Sequence, residues 1–210
     1  MSLSPSRLGD ENSCLVLDAS VLLNLLGTNR PELVFRTLCR SCVIDEVAIS
    51  EVKLHPITHK PCAEFLESLQ TERLLEVVNM QGDVYDSFLN LTGAEPPDDL
   101  GDGEAATIAH AVAGKHTAVL DERKATRIAL GRLPGARVLA SVDLLCAPDL
   151  FAKLGNAVVL DLLFLALRNS RMRVPQQMRS WVISALGPAR VSECPSLRFA
   201  PRLRRVSASK

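Results

Sequence analysis

Residues 14–24 read Cys-Leu-Val-Leu-Asp-Ala-Ser-Val-Leu-Leu-Asn. The first four are a short apolar run, the pattern of a strand buried on both faces. Residues 19–26 then read as a short helix that stops at Gly27. A strand running directly into a helix opens a βα unit. In such units the residue at the carboxyl end of the strand borders the ligand crevice. Asp18 stands there, where a carboxylate either caps the helix or serves a site.

The rest of the chain repeats this pattern. Short apolar runs at 42–44, 74–78, 117–120 and 137–139 read as further strands. Between them lie helices from Pro31 to about Arg40, from the Asp45 cap to Leu54, and from Pro61 through Phe65, Leu66 and Leu69. Others cover 84–91, Glu104 to Ala113, and Asp121 or Glu122 to Leu130. Strands alternating with helices predict an α/β fold, a three-layer α/β/α sandwich around a parallel sheet of about five short strands. Beyond the fifth strand, residues 142–186 read as all-helical, with Pro175 opening the last helix. The chain divides into a disordered leader (1–13), an α/β domain (14–153), a helical extension of that domain (154–187) and a basic flexible tail (188–210). Deleting that tail is expected to leave thermal stability almost unchanged.

A hydrophobic fraction of 47% and a charged fraction of 23% are those of an ordinary soluble globular chain. Formal net charge is zero, which removes any global electrostatic argument for nucleic acid. The charge is uneven, however. Residues 168–210 hold ten Lys and Arg against one acid, Glu193, and the remainder carries the balancing excess of acids. The basic segment reads either as a solvated face and tail or as a phosphate-contacting surface. The N-terminus lacks the apolar core of a signal peptide. The most apolar run, 157–167, falls short of the ~20 residues that span a bilayer. A cytoplasmic protein with reduced cysteines and no membrane contact is expected.

Two more acids sit like Asp18. Asp121 ends the run 117–120, and Glu104 opens a helix behind the loop 95–103, the richest in turn formers. Glu51 lies on the helix after the second strand. Carboxylates converging at strand ends repel one another unless a cation neutralises them, and hard divalent cations take oxygen ligands. The chain therefore reads as a metal-dependent enzyme acting on phosphates. Taken singly, each acid is equally well explained as a helix cap, a first-turn acid or a surface residue.

The stretch Leu17-Asp18-Ala19-Ser20-Val21-Leu22-Leu23-Asn24 resembles the opening strand and turn of PIN-domain ribonucleases. The segment from Val43 through Glu51 and Val52 resembles the family's second strand and helix. Gly101-Asp102-Gly103-Glu104-Ala105-Ala106-Thr107 is similar to its third acidic motif, and Val119-Leu120-Asp121-Glu122-Arg123 to its fourth strand end. The likeness is to stand-alone prokaryotic PIN-like proteins and spans about residues 14–187. It implies a site of Asp18, Glu51, Glu104 and Asp121 holding Mg2+ or Mn2+, with Asp102 and Glu122 as substitutes. Ser20 would orient a ligand or water from behind, and Asn24 would support the same turn. The implied reaction is hydrolysis of RNA phosphodiester bonds by an endoribonuclease. A toxin role in a toxin–antitoxin pair, a protein inhibitor and a homodimer are implied as well. Arg123, Arg127, Arg168, Arg171 and Arg173 are candidates for RNA phosphates. The chain departs from the family at Ala140-Ser141, where a Gly-Thr pair is common. A PIN-like fold used only as a binding or scaffold module is the alternative.

Cys39, Cys42, His55 and His59 have the spacing of a two-Cys, two-His zinc finger. Against zinc, Glu46 stands where the finger's core aromatic belongs, and Pro56 interrupts its helix. His110 and His116 read as structural. Receiver domains pair two acids after strand one and place a Lys near strand five, and neither is present. Dinucleotide binding lacks its Gly-rich turn.

Overall fold

The computed structural model describes residues 6–9, 13–133 and 135–198. In chain order, β1 (Leu15–Leu17) leads into α1 (Ala19–Gly27) and α2 (Pro31–Leu38). Then come β2 (Cys42–Asp45), α3 (Glu46–Ser50), α4 (Ala63–Thr71), β3 (Glu76–Val78), α5 (Asp83–Thr92) and α6 (Asp102–Ala113). Next are β4 (Thr117–Val119), α7 (Arg123–Arg132), β5 (Arg137–Leu139), α8 (Ser141–Leu145), α9 (Pro148–Asn169), α10 (Gln176–Glu193) and α11 (Pro195–Arg198). The five strands form one parallel sheet in the order β3-β2-β1-β4-β5. The expected α/β class, three layers and strand count are what the molecule has.

Strand side chains alternate between the two faces, as the pleat demands. Leu15, Leu17, Ile44, Val119 and Leu139 join the larger core beneath α1, α2, α8, α9 and α10. Val16, Ala118, Leu120 and Val138 join a smaller core beneath α6 and α7. With apolar partners on both faces, three-residue strands suffice to hold the sheet.

Four expectations about the elements are corrected. The helix begun by Asp45 ends at Ser50 rather than Leu54, because residues 53–62 fold back on themselves. His55 N donates to Lys60 O at 2.9 Å and Cys62 N to Lys53 O at 3.0 Å, so these groups are withdrawn from a helix. Residues 6–9 of the expected disordered leader are held in place: Ser6 Oγ donates to Asp143 O at 2.7 Å and Arg7 Nη2 to Asp143 Oδ2 at 2.8 Å. Residues 1–5 and 10–12 lie outside the described residues. The tail is not frayed at 188–198, where α10 continues past a break at Gly187 and α11 buries Leu197 beside Cys194. Residues 199–210 lie outside the described residues. Finally, 142–186 is not all helical. Residues 170–175 are not helical between α9 and α10, and α9 breaks at Gly155, whose φ of 77° no helix adopts.

Among the described residues one helix, α9, is long and apolar enough to cross a membrane by length and composition. The apolar run 157–167 lies inside it, after the break at Gly155. Leu150, Val159, Leu162, Leu163, Ala166 and Leu167 of this helix are buried in the larger core.

Candidate active site in the acidic cleft

The strand order reverses between β1 and β4, and crevices in open α/β sheets form at such a switch point. Here the crevice is a cleft of about 560 Å3. Its walls include all four acids expected from sequence, Asp18, Glu51, Glu104 and Asp121, together with Glu122. Each arrives on a different element. Asp18 directly follows β1 and caps α1, accepting from Ser20 N at 3.1 Å. Asp121 follows β4 after one residue. Glu104 sits in the first turn of α6, accepting from Gly101 N at 3.3 Å. Glu51 is the C-cap of α3 rather than a residue within a helix. Asp18 and Glu51 are thus helix caps and cleft walls at once. Asp102 is exposed and lies outside the cleft lining, while Glu122 caps α7 and accepts from Lys124 N.

Glycines set the spacing. A Cβ on Gly103 would lie 2.8 Å from Glu51 Oε1, so only glycine lets the start of α6 close on that carboxylate. The Gly103 N–H bonds to Glu51. This is a physical reason for the Gly-x-Gly-Glu pattern.

The carboxylates are held from behind. Asp121 Oδ2 accepts from Asn24 Nδ2 at 2.6 Å and from Ser141 Oγ, and its Oδ1 accepts from Ser141 N at 2.9 Å. Ser20 Oγ donates to Asp18 Oδ2 at 2.5 Å. Burial pushes the Asp121 carboxyl up to about 6, against the pull of Ser141 and Asn24, and the Asp18 charge adds to the rise. Desolvation also raises Glu104 and Glu51. Asp18 pushes both further, while the Gly101 and Gly103 amides oppose the shift. One carboxylate therefore acts on three others.

The expected arginines separate. Arg171 and Arg173 line the cleft, on the connection between α9 and α10. Arg173 Nη1 donates to Asp121 O at 3.1 Å and lies 3.7 Å from Glu122. Arg127 is paired with Asp98, and Arg168 pairs with Glu193 over the Phe164 ring. Arg123 lines a neighbouring hollow. The zinc-like set has structural places: Cys42 is in β2, Cys39 terminates α2 in the left-handed region, and His55 Nδ1 accepts from Ile57 N.

Two groups and one pairing were missed. Ser141 was noticed only as a departure from family pattern, yet its side chain and amide fix Asp121. Asp143, fully buried, caps α8 by accepting from Ala140 N at 2.9 Å and is clamped by Arg7. The Arg7 clamp thus braces the turn that carries Ser141. Asp45, also fully buried, caps α3 and meets His110 Nε2 on α6 at 2.8 Å, tying the elements that carry Glu51 and Glu104. Sequence offers one faint signal for such a pair, a polar residue closing an apolar run.

A divalent cation is the group this site could hold. Its donors are all carboxylate oxygens, the chemistry of a hard cation, and their mutual repulsion is what a positive ion relieves. Among the described residues no three His, Cys, Asp or Glu side chains stand arranged to hold an ion, so the acids must turn inward to do so. Glu51 and Glu104, on long flexible side chains, have that freedom. The donor chemistry fits.

A family model described as a PIN domain matches residues 14–187. No curated protein and no solved structure matches the chain. The chain belongs to the PIN-domain family. PIN domains are generally nucleases and typically use divalent metals.

Proposed function

We propose that this PIN domain is a metal-dependent endoribonuclease, hydrolysing RNA phosphodiester bonds with Asp18, Glu51, Glu104 and Asp121 around Mg2+ or Mn2+. The observation that carries the reading is the meeting of four carboxylates in one cleft at the switch point of the sheet. A bound divalent cation would supply Lewis acidity, acidifying water and neutralising charge on a phosphoryl oxygen. The chain does the placing. Asp121, held by Asn24 and Ser141, and Asp18, held by Ser20, are the rigid oxygens. Glu51 and Glu104 would complete the set of oxygens that hold the cation by side-chain rotation. Arg171, across the cleft, pairs with a non-bridging phosphate oxygen. The toxin role, the protein inhibitor and the homodimer rest on family likeness and are part of the proposal, as is the cytoplasmic location.

The test is cleavage of a mixed RNA pool by wild type and Asp18→Asn, with Mg2+, with Mn2+ and with EDTA. Cleavage only by wild type with metal is the expected result. The unconverged acids favour one rival reading, a PIN-like scaffold that does not cut. No cleavage under any condition would decide for it.

A further inference from the structure

The acidic cleft presents a difficulty for any polyanion. Its lining holds five carboxylates and two arginines, so without a cation it repels phosphate. Beyond Asp121 and Arg173, which it shares with the cleft, lies a second hollow of about 520 Å3 with the opposite character. Four arginines, Arg7, Arg123, Arg127 and Arg173, line it against the single carboxylate of Asp121. Three of these arginines have partners: Arg7 in Asp143, Arg127 in Asp98, and Arg173 in Asp121 O and Glu122. Arg123 has none among the described residues and is exposed. Between the guanidinium groups the surface is apolar. Leu130, 55% exposed on α7, faces a wall of Val138 and Leu139, with the exposed amides of Gln176 and Gln177 at the rim.

We infer that this hollow is a nucleotide subsite for single-stranded RNA, holding a phosphate on Arg123 and a base against Leu130, next to the scissile bond. A cationic edge beside an apolar surface matches the two halves of a nucleotide, its phosphate and its base. Continuity with the cleft lets one strand occupy both. The basic hollow anchors the chain so that its neighbouring phosphate reaches the acids. The inference rests on the nucleic-acid reading of the cleft but not on cleavage itself.

The experiment is fluorescence anisotropy with a labelled single-stranded RNA of about ten nucleotides, in EDTA, across a salt series. Wild type, Arg123→Gln and Leu130→Ala are compared. Both positions are exposed, and circular dichroism checks the fold. Arg123→Gln is expected to weaken binding about fivefold and to reduce the log–log salt slope by about 0.7, the mark of one lost phosphate contact on a single strand. Leu130→Ala is expected to weaken binding at least ~fivefold with the slope unchanged, as loss of a base contact does. Binding by Arg123→Gln equal to wild type in affinity and slope overturns the subsite, as does failure of wild type to bind RNA. If the groove variants behave as expected but wild type cuts no RNA, the subsite stands and the ribonuclease reading falls. If wild type cuts RNA and the variants bind normally, only the subsite falls.

Discussion

Asp18 uses one carboxylate for two purposes, and the substitution that separates them is conservative. Its oxygen caps α1 through Ser20, and asparagine caps about as well as aspartate. Its charge raises the proton affinity of Glu51, Glu104 and Asp121. Asp18→Asn should therefore leave metal-free unfolding within ~1 kcal/mol of wild type, while Mg2+ no longer raises the midpoint and cleavage falls at least about a hundredfold. A drop in metal-free stability well beyond that would show the residue to be mainly structural. Asp121 gives a pH signature. Its folded-state value, about 6, lies above the ordinary 3.8, so folding favours the protonated form. That contribution is complete below the unfolded value and is lost as pH rises through about 6. Denaturant midpoints measured without metal between pH 4 and 7 should fall more steeply for wild type than for Asp121→Asn. Parallel curves would refute the assignment. At this scale Asp18 and Asp121 were legible because each directly follows a short apolar run. Ser141 and Asp143 were not, nor was the pairing of the legible cap Asp45 with His110, because the partners Asp121, Arg7 and His110 lie 20, 136 and 65 residues away in the chain.

Among the elements, the start of α6 carries the clearest test. Alanine is the better helix former, by up to ~1 kcal/mol, yet its Cβ at position 103 would press on Glu51. That neighbour is the end of a flexible side chain, so the helix keeps its place and the carboxylate moves. Gly103→Ala should leave thermal stability unchanged or slightly higher and lower cleavage about tenfold or more. A destabilised protein with full specific activity would contradict the role given to this glycine. Strands and most helices were readable from apolar runs and Gly or Pro stops. The end of α3 was not, because a loop pairing Leu54 with Pro61 takes hydrogen bonds that a local reading assigns to the helix. Glu51 consequently sits at a helix end, where it can turn toward the cleft.

For the molecule as a whole, the C-terminal elements belong to the core. Cys194 and Leu197 are buried in it, Arg179 donates to the carbonyls of Ser196 and Leu197, and Arg190 pairs with Asp161. Deleting residues 188–210 should cost at least ~2 kcal/mol, or about 4–8 °C in the thermal midpoint. An unchanged midpoint would mean that these helices add nothing. Composition concealed this, because the segment is rich in Pro, Ser and Arg and its few apolar residues are spaced across a helix break. The order of the chain has a further consequence during synthesis. The apolar face of α1 is covered by α9, whose first residue, Pro148, follows α1 by about 120 residues. At the pace of translation this leaves Leu22, Leu25 and Leu26 without their final cover for on the order of ten seconds. The nascent protein on the ribosome therefore carries an open hydrophobic patch until the last third of the chain has been made.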